Sequence, residues 1–327
     1  AEADLMAGFT SIRDVGCCPE WADVAIRDAI DRGAYPGPRM MVAGLTLNAA
    51  GGHGDNDFLP PYSALGKDNV RAIICGPDQA RQAARMNFKY GASCLKFMAT
   101  FGVLSNSDDP GPQELTYEEM RAAIEIAEFR GFTSCAHAEG RTGINVAVRA
   151  GVTSIEHGTF LTLEQAKQMA EKGIYWTPTI TAYTVLYEFC KKTIEEGVDP
   201  GNRIAVKAMR DMAFFEPAYN AYKDNFKKFY DTGVTVVAGT DMVLYGAPAY
   251  PLNRELALMV EYGITPLQAI QTATENPARM LELEHVVGTL RTGLEADLLA
   301  VKGNAAEDIH ALDEVLGVFI RGEEVRV

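Results

Sequence analysis

Seven short apolar runs, at residues 10–15, 39–47, 93–98, 133–138, 153–157, 175–181 and 234–240, alternate along the chain with amphipathic stretches. Each run is rich in apolar or β-branched residues, and turn-forming residues such as Gly16, Asn48, Gly158 and Asp241 follow them. Runs of this kind read as strands buried on both faces. Strand and helix alternating at this spacing imply parallel pairing with crossover helices, an α/β architecture. Helix end signals fall between the runs. Pro19 opens a helix that Gly33 closes, Thr116 and Glu119 form a capping box before a helix stopped by Gly131, and Thr162 with Gln165 caps one ending at Gly173. Thr265, Pro266 and Gln268 start another, which Pro277 interrupts or ends.

Seven strands suit either an open doubly wound sheet or a (β/α)₈ barrel short of one strand. The polar residues at the strand ends favour the barrel. Lys96, His137, His157 and Asp241 each stand at or just inside the C-terminal end of a separate run. Barrel enzymes recruit groups on that rim from several strands, whereas an open sheet gathers its ligand at one switch point. The spacings of 41, 20 and 84 positions put the first three on consecutive strands and Asp241 two strands beyond His157. Two histidines with a carboxylate make a borderline metal set able to activate water. Taken singly, each has a plainer reading: a strand-end histidine satisfied by hydrogen bonds, an aspartate capping the next helix. Lys96 is harder to explain away, because an ammonium inside an apolar strand is costly unless paired or chemically changed. Four such residues at the ends of one strand series point to a site.

Composition narrows the partners. The net charge of −14 argues against nucleic acid, which needs clustered Lys and Arg. No apolar run approaches the roughly 18 residues of a membrane span. The six cysteines form no C-x-x-C pair, and Cys75, Cys94 and Cys135 sit in apolar stretches as expected buried thiols, so a reducing, cytoplasmic compartment is favoured. A small-molecule substrate and a possible homo-oligomer complete the expected partners.

Several segments in order give the chain a resemblance. Gly44-Leu45-Thr46-Leu47 with Gly51-Gly52-His53-Gly54-Asp55, then Leu95-Lys96-Phe97-Met98, Ala136-His137-Ala138, Ser154-Ile155-Glu156-His157-Gly158 and Ala238-Gly239-Thr240-Asp241 resemble the amidohydrolase superfamily, in the branch of imidazolonepropionase-like proteins and Xaa-Pro or Xaa-Arg/Lys dipeptidases. Asn276-Pro277-Ala278-Arg279, Gly288-Thr289-Leu290 and the stretch from Gly293 to Leu298 resemble its closing signature. The resemblance implies a TIM-like (β/α)₈ barrel over residues 1–285 and the C-terminal strands of a small β-sandwich over 286–327. The sandwich strands fall at the 288–290, 296–301, 315–320 and 324–327 runs. It also implies two divalent metal ions, commonly zinc, bridged by a CO₂-derived carbamate on Lys96. His137 and His157 would hold one metal. Asp241 would hold the other and act as general base on the bridging water, which attacks an amide carbonyl. The superfamily's His-x-His pair at the first barrel strand is absent from the five histidines, His53, His137, His157, His285 and His310. Residues 1–9 resemble the end of the first barrel helix, so the expectation is a chain that lacks the first barrel strand.

His53, in its Gly-rich loop, is expected either to contact substrate or to organise the turn. Tyr183 and Tyr187 after the 175–181 run are expected either to bind a substrate carboxylate or to pack. The 100–112 loop, with Asp108 and Asp109, reads as a lid or as a solvated loop. The implied reaction is hydrolysis of an amide bond in a dipeptide or N-acyl amino acid. The rivals are opening of a cyclic amide and a non-catalytic barrel scaffold.

Overall fold

The computed structural model describes residues 1–16, 21–55, 71–102, 111–197, 203–241 and 252–326. Pro19, Cys17, Cys18, Asp108 and Asp109 lie outside the described residues. The strands are β1 (Ser11–Asp14), β2 (Arg39–Val42), β3 (Thr46–Asn48), β4 (Arg71–Ile73), β5 (Cys94–Met98), β6 (Thr133–Ala138), β7 (Ser154–His157), β8 (Tyr175–Thr177), β9 (Leu298–Val301), β10 (Val315–Ile320) and β11 (Glu323–Arg326). The helices are α1 (Glu2–Met6), α2 (Ala22–Asp31), α3 (Pro77–Lys89), α4 (Tyr117–Glu128), α5 (Arg141–Ala150), α6 (Leu163–Lys172), α7 (Ile180–Glu195), α8 (Arg203–Tyr230), α9 (Leu252–Glu261), α10 (Pro266–Ala273) and α11 (Glu275–Met280).

Strands β4-β3-β5-β6-β7-β8 form one parallel sheet, β1 pairs in parallel with β2, and β9 to β11 form a separate antiparallel sheet. The first two are walls of a TIM-like α/β barrel. Residue alternation sorts the sheet's faces. Leu95, Phe97, Ala136, Ile155 and Trp176 share one face, fully buried under the helices. Lys96, Cys135, His137, Ser154 and Glu156 share the other, which lines the barrel interior.

Three strand boundaries differ from the sequence expectation. The 39–47 run splits, because Gly44 turns the chain at φ +66, with the Trp21 ring 2.7 Å from where a Cβ would sit. Its two halves still flank the β5 strand: Ser93 N donates to Val42 O at 2.8 Å, and Leu47 pairs with Phe97. The 175–181 run stops at Thr177, since Pro178 has no N–H for a ladder and α7 begins at Ile180. The 234–240 run pairs with β8 only at Val236–Trp176. Among the described residues no ladder joins this segment to β1. The short β4 was not anticipated.

The helix signals correspond to observed ends. Thr116 and Glu119 make a reciprocal capping box, as do Thr162 with Gln165 and Thr265 with Gln268. The helix from Thr265 breaks at Thr274 and resumes as α11, with Pro277 in its first turn. Thr116→Ala removes the acceptor for Glu119 N–H and is expected to cost about 1 kcal/mol in urea unfolding. In the C-terminal part, 288–290 forms a bend rather than a strand, and β9 to β11 make a single three-stranded layer. Helix α1 lies against this layer, with Gly8 beside Leu299. Cys94, Cys135 and Cys190 are buried, but Cys75 is exposed, because it follows β4 at the sheet's edge. No described helix is long and apolar enough to cross a membrane.

Candidate active site

Parallel pairing brings the C-terminal ends of β5 to β8 to one rim, and the site gathers there. Lys96 projects from the middle of β5 onto the interior face and is 3% exposed. His137, one residue before the end of β6, shares that face. His157 ends β7, where strict alternation would turn it outward with Ile155 and Ala138. A left-handed backbone, φ +68, breaks the pleat there and re-aims the ring. The His157 and His137 ring centroids are 4.8 Å apart, and His53 stacks on His137 at 4.3 Å. Asp241 closes the group: burial raises its pKa, while nearby Lys96 lowers it and Glu156 raises it further.

Backbone strain marks the same rim. His157, Thr179 and Asp241 all have positive φ, as do Trp21, Glu282 and Arg321 among non-glycine residues described. Three strained residues at the ends of successive wall segments are what a built site shows.

Burial first, and then the charges of neighbouring groups including Lys96, push His137 and His157 well below their ordinary pKa. Glu139 approaches His137 Nε2 at 3.7 Å, an ion pair only when the imidazole is protonated, which burial disfavours. His137 Nε2 stands 3.1 Å from Phe101 O, a group that can only accept, so Nε2 carries the hydrogen and Nδ1 the lone pair. His157 Nδ1 is engaged at 2.7 Å by the Thr179 hydroxyl. His53 is held from behind by its own N–H, which donates to Glu114 at 2.6 Å.

Of the two tyrosines, Tyr183 reaches the group: it is buried, edge-on to His157 with centroids 5.8 Å apart, and burial pushes its hydroxyl well above the ordinary pKa. Tyr187 instead stacks on Tyr219 at 4.5 Å in the α7–α8 hairpin and lies outside the cluster.

Several participants were not singled out from sequence. Arg13 crosses the interior from β1, donating to Ser154 Oγ at 2.9 Å and Glu156 Oε1 at 2.8 Å. Glu156, a second charged residue inside an apolar strand, carried the same signal as Lys96. Thr179, Trp176, Tyr222 and Glu255 gave no such signal, because threonines and aromatics in apolar runs are ordinary core residues.

The donor set suits a divalent metal of borderline softness: two imidazoles whose burial favours the neutral form, a half-buried carboxylate and a buried lysine. Among the described residues no three His, Cys, Asp or Glu side chains stand close enough together to hold a metal ion by themselves.

A parallel α/β barrel wall with polar side chains gathered on its C-terminal rim is the layout of a barrel enzyme. The chain belongs to the amidohydrolase family, whose sequence pattern matches residues 1–325. It is 32% identical to the ochratoxinase of Aspergillus niger over 95% of its own length, and spans 63% of that protein. A Xaa-Pro dipeptidase solved with methionine bound in the active site superposes with a TM-score of 0.86 at 34% identity, over 100% of this chain and 77% of the other. A prolidase complexed with N-methylphosphonate-L-proline gives 0.83 at 29% identity, over 99% and 77%.

Proposed function

We propose that the protein is a metal-dependent hydrolase of an amide C–N bond, acting on a dipeptide or N-acyl amino acid. The observation that carries this reading is the convergence of Lys96, His137, His157 and Asp241 on one rim in a chain of this family. The dipeptidase and prolidase among its relatives favour a peptide-like substrate over a cyclic amide. Lys96 as a carbamate, His137, His157 and Asp241 would hold the metal, two zinc ions being the expected complement. Bound there, the metal supplies Lewis acidity and a water acidic enough to lose a proton near neutral pH.

The chain's own residues do the rest. Asp241 takes the proton from the attacking water and passes it to the departing amine; its buried position disfavours the bare carboxylate and so makes it a better acceptor than an exposed aspartate. His53, whose N–H is held by Glu114 and whose ring stacks on His137, would orient the scissile carbonyl. Tyr183 keeps its proton, and its hydroxyl is a donor for a substrate carboxylate. Burial of the rim excludes bulk water from competing for these bonds.

The protein expressed from its complete reading frame should release free amino acid from members of a dipeptide and N-acyl amino acid panel. Chelation should abolish release and added zinc restore it. Activity confined to a cyclic amide would reassign the substrate. Turnover untouched by chelation would reject the metal, and no hydrolysis of any amide would favour the scaffold reading.

A further inference from the structure

Helix α7 begins in an unusual way. Its N-cap, Thr179, is the residue type that ordinarily spends its side-chain oxygen on the N–H groups of the first turn. Here the Thr179 side chain accepts none of them. That role is taken by Glu255 of α9, a fully buried carboxylate whose oxygens accept from Ile180 N at 2.9 Å, Thr181 N at 2.7 Å and Thr181 Oγ1 at 2.7 Å. A carboxylate is well placed there, at the positive end of the helix.

Freed from capping, the Thr179 hydroxyl turns toward the site. It donates its single hydrogen to Pro178 O at 2.7 Å. It can then only accept from its second neighbour, His157 Nδ1, also at 2.7 Å. His157 must carry its hydrogen on Nδ1 and its lone pair on Nε2. The His157 backbone is clamped as well: its carbonyl accepts from the Trp176 indole at 2.7 Å and from the Tyr222 hydroxyl at 3.2 Å. Thr179 reaches this position only by adopting φ +51, a region β-branched residues avoid. The strain is retained because Glu255 anchors the residues that follow.

We infer that Thr179 and Glu255 form a positioning relay that fixes the tautomer and ring direction of His157, leaving Nε2 as its working nitrogen. The inference rests on the proposed function only for what that nitrogen does; the tautomer is a property of the protein alone.

The test is imidazole-¹⁵N NMR on chelator-treated, histidine-labelled protein, with the His157 signals assigned from a His157→Gln sample among five histidines. Wild type should show His157 as the Nδ1–H tautomer. Thr179→Ser keeps the hydroxyl and should keep that pattern. Thr179→Val keeps the shape but removes the acceptor, and should move His157 toward Nε2–H. Glu255→Gln leaves one acceptor oxygen for three donors and should give a mixed pattern. A merely structural role would lower stability in these variants without moving the tautomer. A wild-type Nε2–H signal overturns the relay, as does a Thr179→Val spectrum that superposes on wild type. Should Thr179→Val fail to fold, the wild-type and Glu255→Gln spectra decide by the same criteria. On an amide substrate, Thr179→Val should lose about 10- to 100-fold in kcat/KM and Thr179→Ser no more than about threefold. A tautomer shift without any amide hydrolysis would leave the relay standing and remove the proposed function. Hydrolysis with an unmoved tautomer would do the reverse.

Discussion

Asp241→Asn is expected to lower turnover by about 10²- to 10⁴-fold while leaving metal content largely intact. Asparagine has the same shape and retains an oxygen that can face a metal. It cannot take a proton from water at neutral pH, so the loss falls on kcat. Lys96→Ala should fail differently. It removes the residue proposed to carry the bridging anion, so metal content itself should fall. Added short-chain carboxylic acids should partly restore metal and activity in Lys96→Ala, because they can enter the space the lysine leaves. They should do nothing for Asp241→Asn. Metal analysis beside steady-state kinetics separates the two roles, which a single activity loss would blur. Full activity in Asp241→Asn would take this residue out of the chemistry. Unchanged metal in Lys96→Ala would leave Lys96 an ordinary buried lysine.

Arg13→Met should destabilise the protein by roughly 3–5 kcal/mol. Arg13 and Glu156 meet at 2.8 Å across the barrel interior, with side chains 7% and 6% exposed. Removing the guanidinium leaves a carboxylate uncompensated where water cannot reach it. The Ser154 hydroxyl, which donates to the same Glu156 oxygen, cannot replace a full charge. Arg13→Met combined with Glu156→Gln should recover much of the loss, since no net charge then stays buried. Urea unfolding of both singles and the double gives the coupling. Additive losses would show that the pair does not act as a unit. The pair also matters to the rim above it: Glu156 adjoins His157 in sequence and acts electrostatically on Asp241.

Much of this was legible in the chain. Lys96, His137 and His157 were visible because polar residues in apolar strands have few reasons to be there, and the capping boxes at Thr116, Thr162 and Thr265 because their chemistry is local. The sequence was less informative wherever one residue's role depended on a partner far along the chain. Gly44 splitting the 39–47 run depends on Trp21 packing against it. Tyr183 and Tyr187 looked alike, four positions apart on one helix, yet only the first faces His157.

By itself, then, the order of residues determined the parallel α/β wall, its helix ends and the list of side chains able to do chemistry, because periodicity and capping act over a few residues. Tertiary structure decided how those side chains are aimed. The left-handed turn at His157, which overrides strand alternation, is held by Trp176, Tyr222 and Thr179. Thr179 is in turn freed by a carboxylate from α9, 76 positions away in the chain. Such settings are sums of contacts between distant segments, each individually unremarkable in sequence, and they exist only once those segments have packed together.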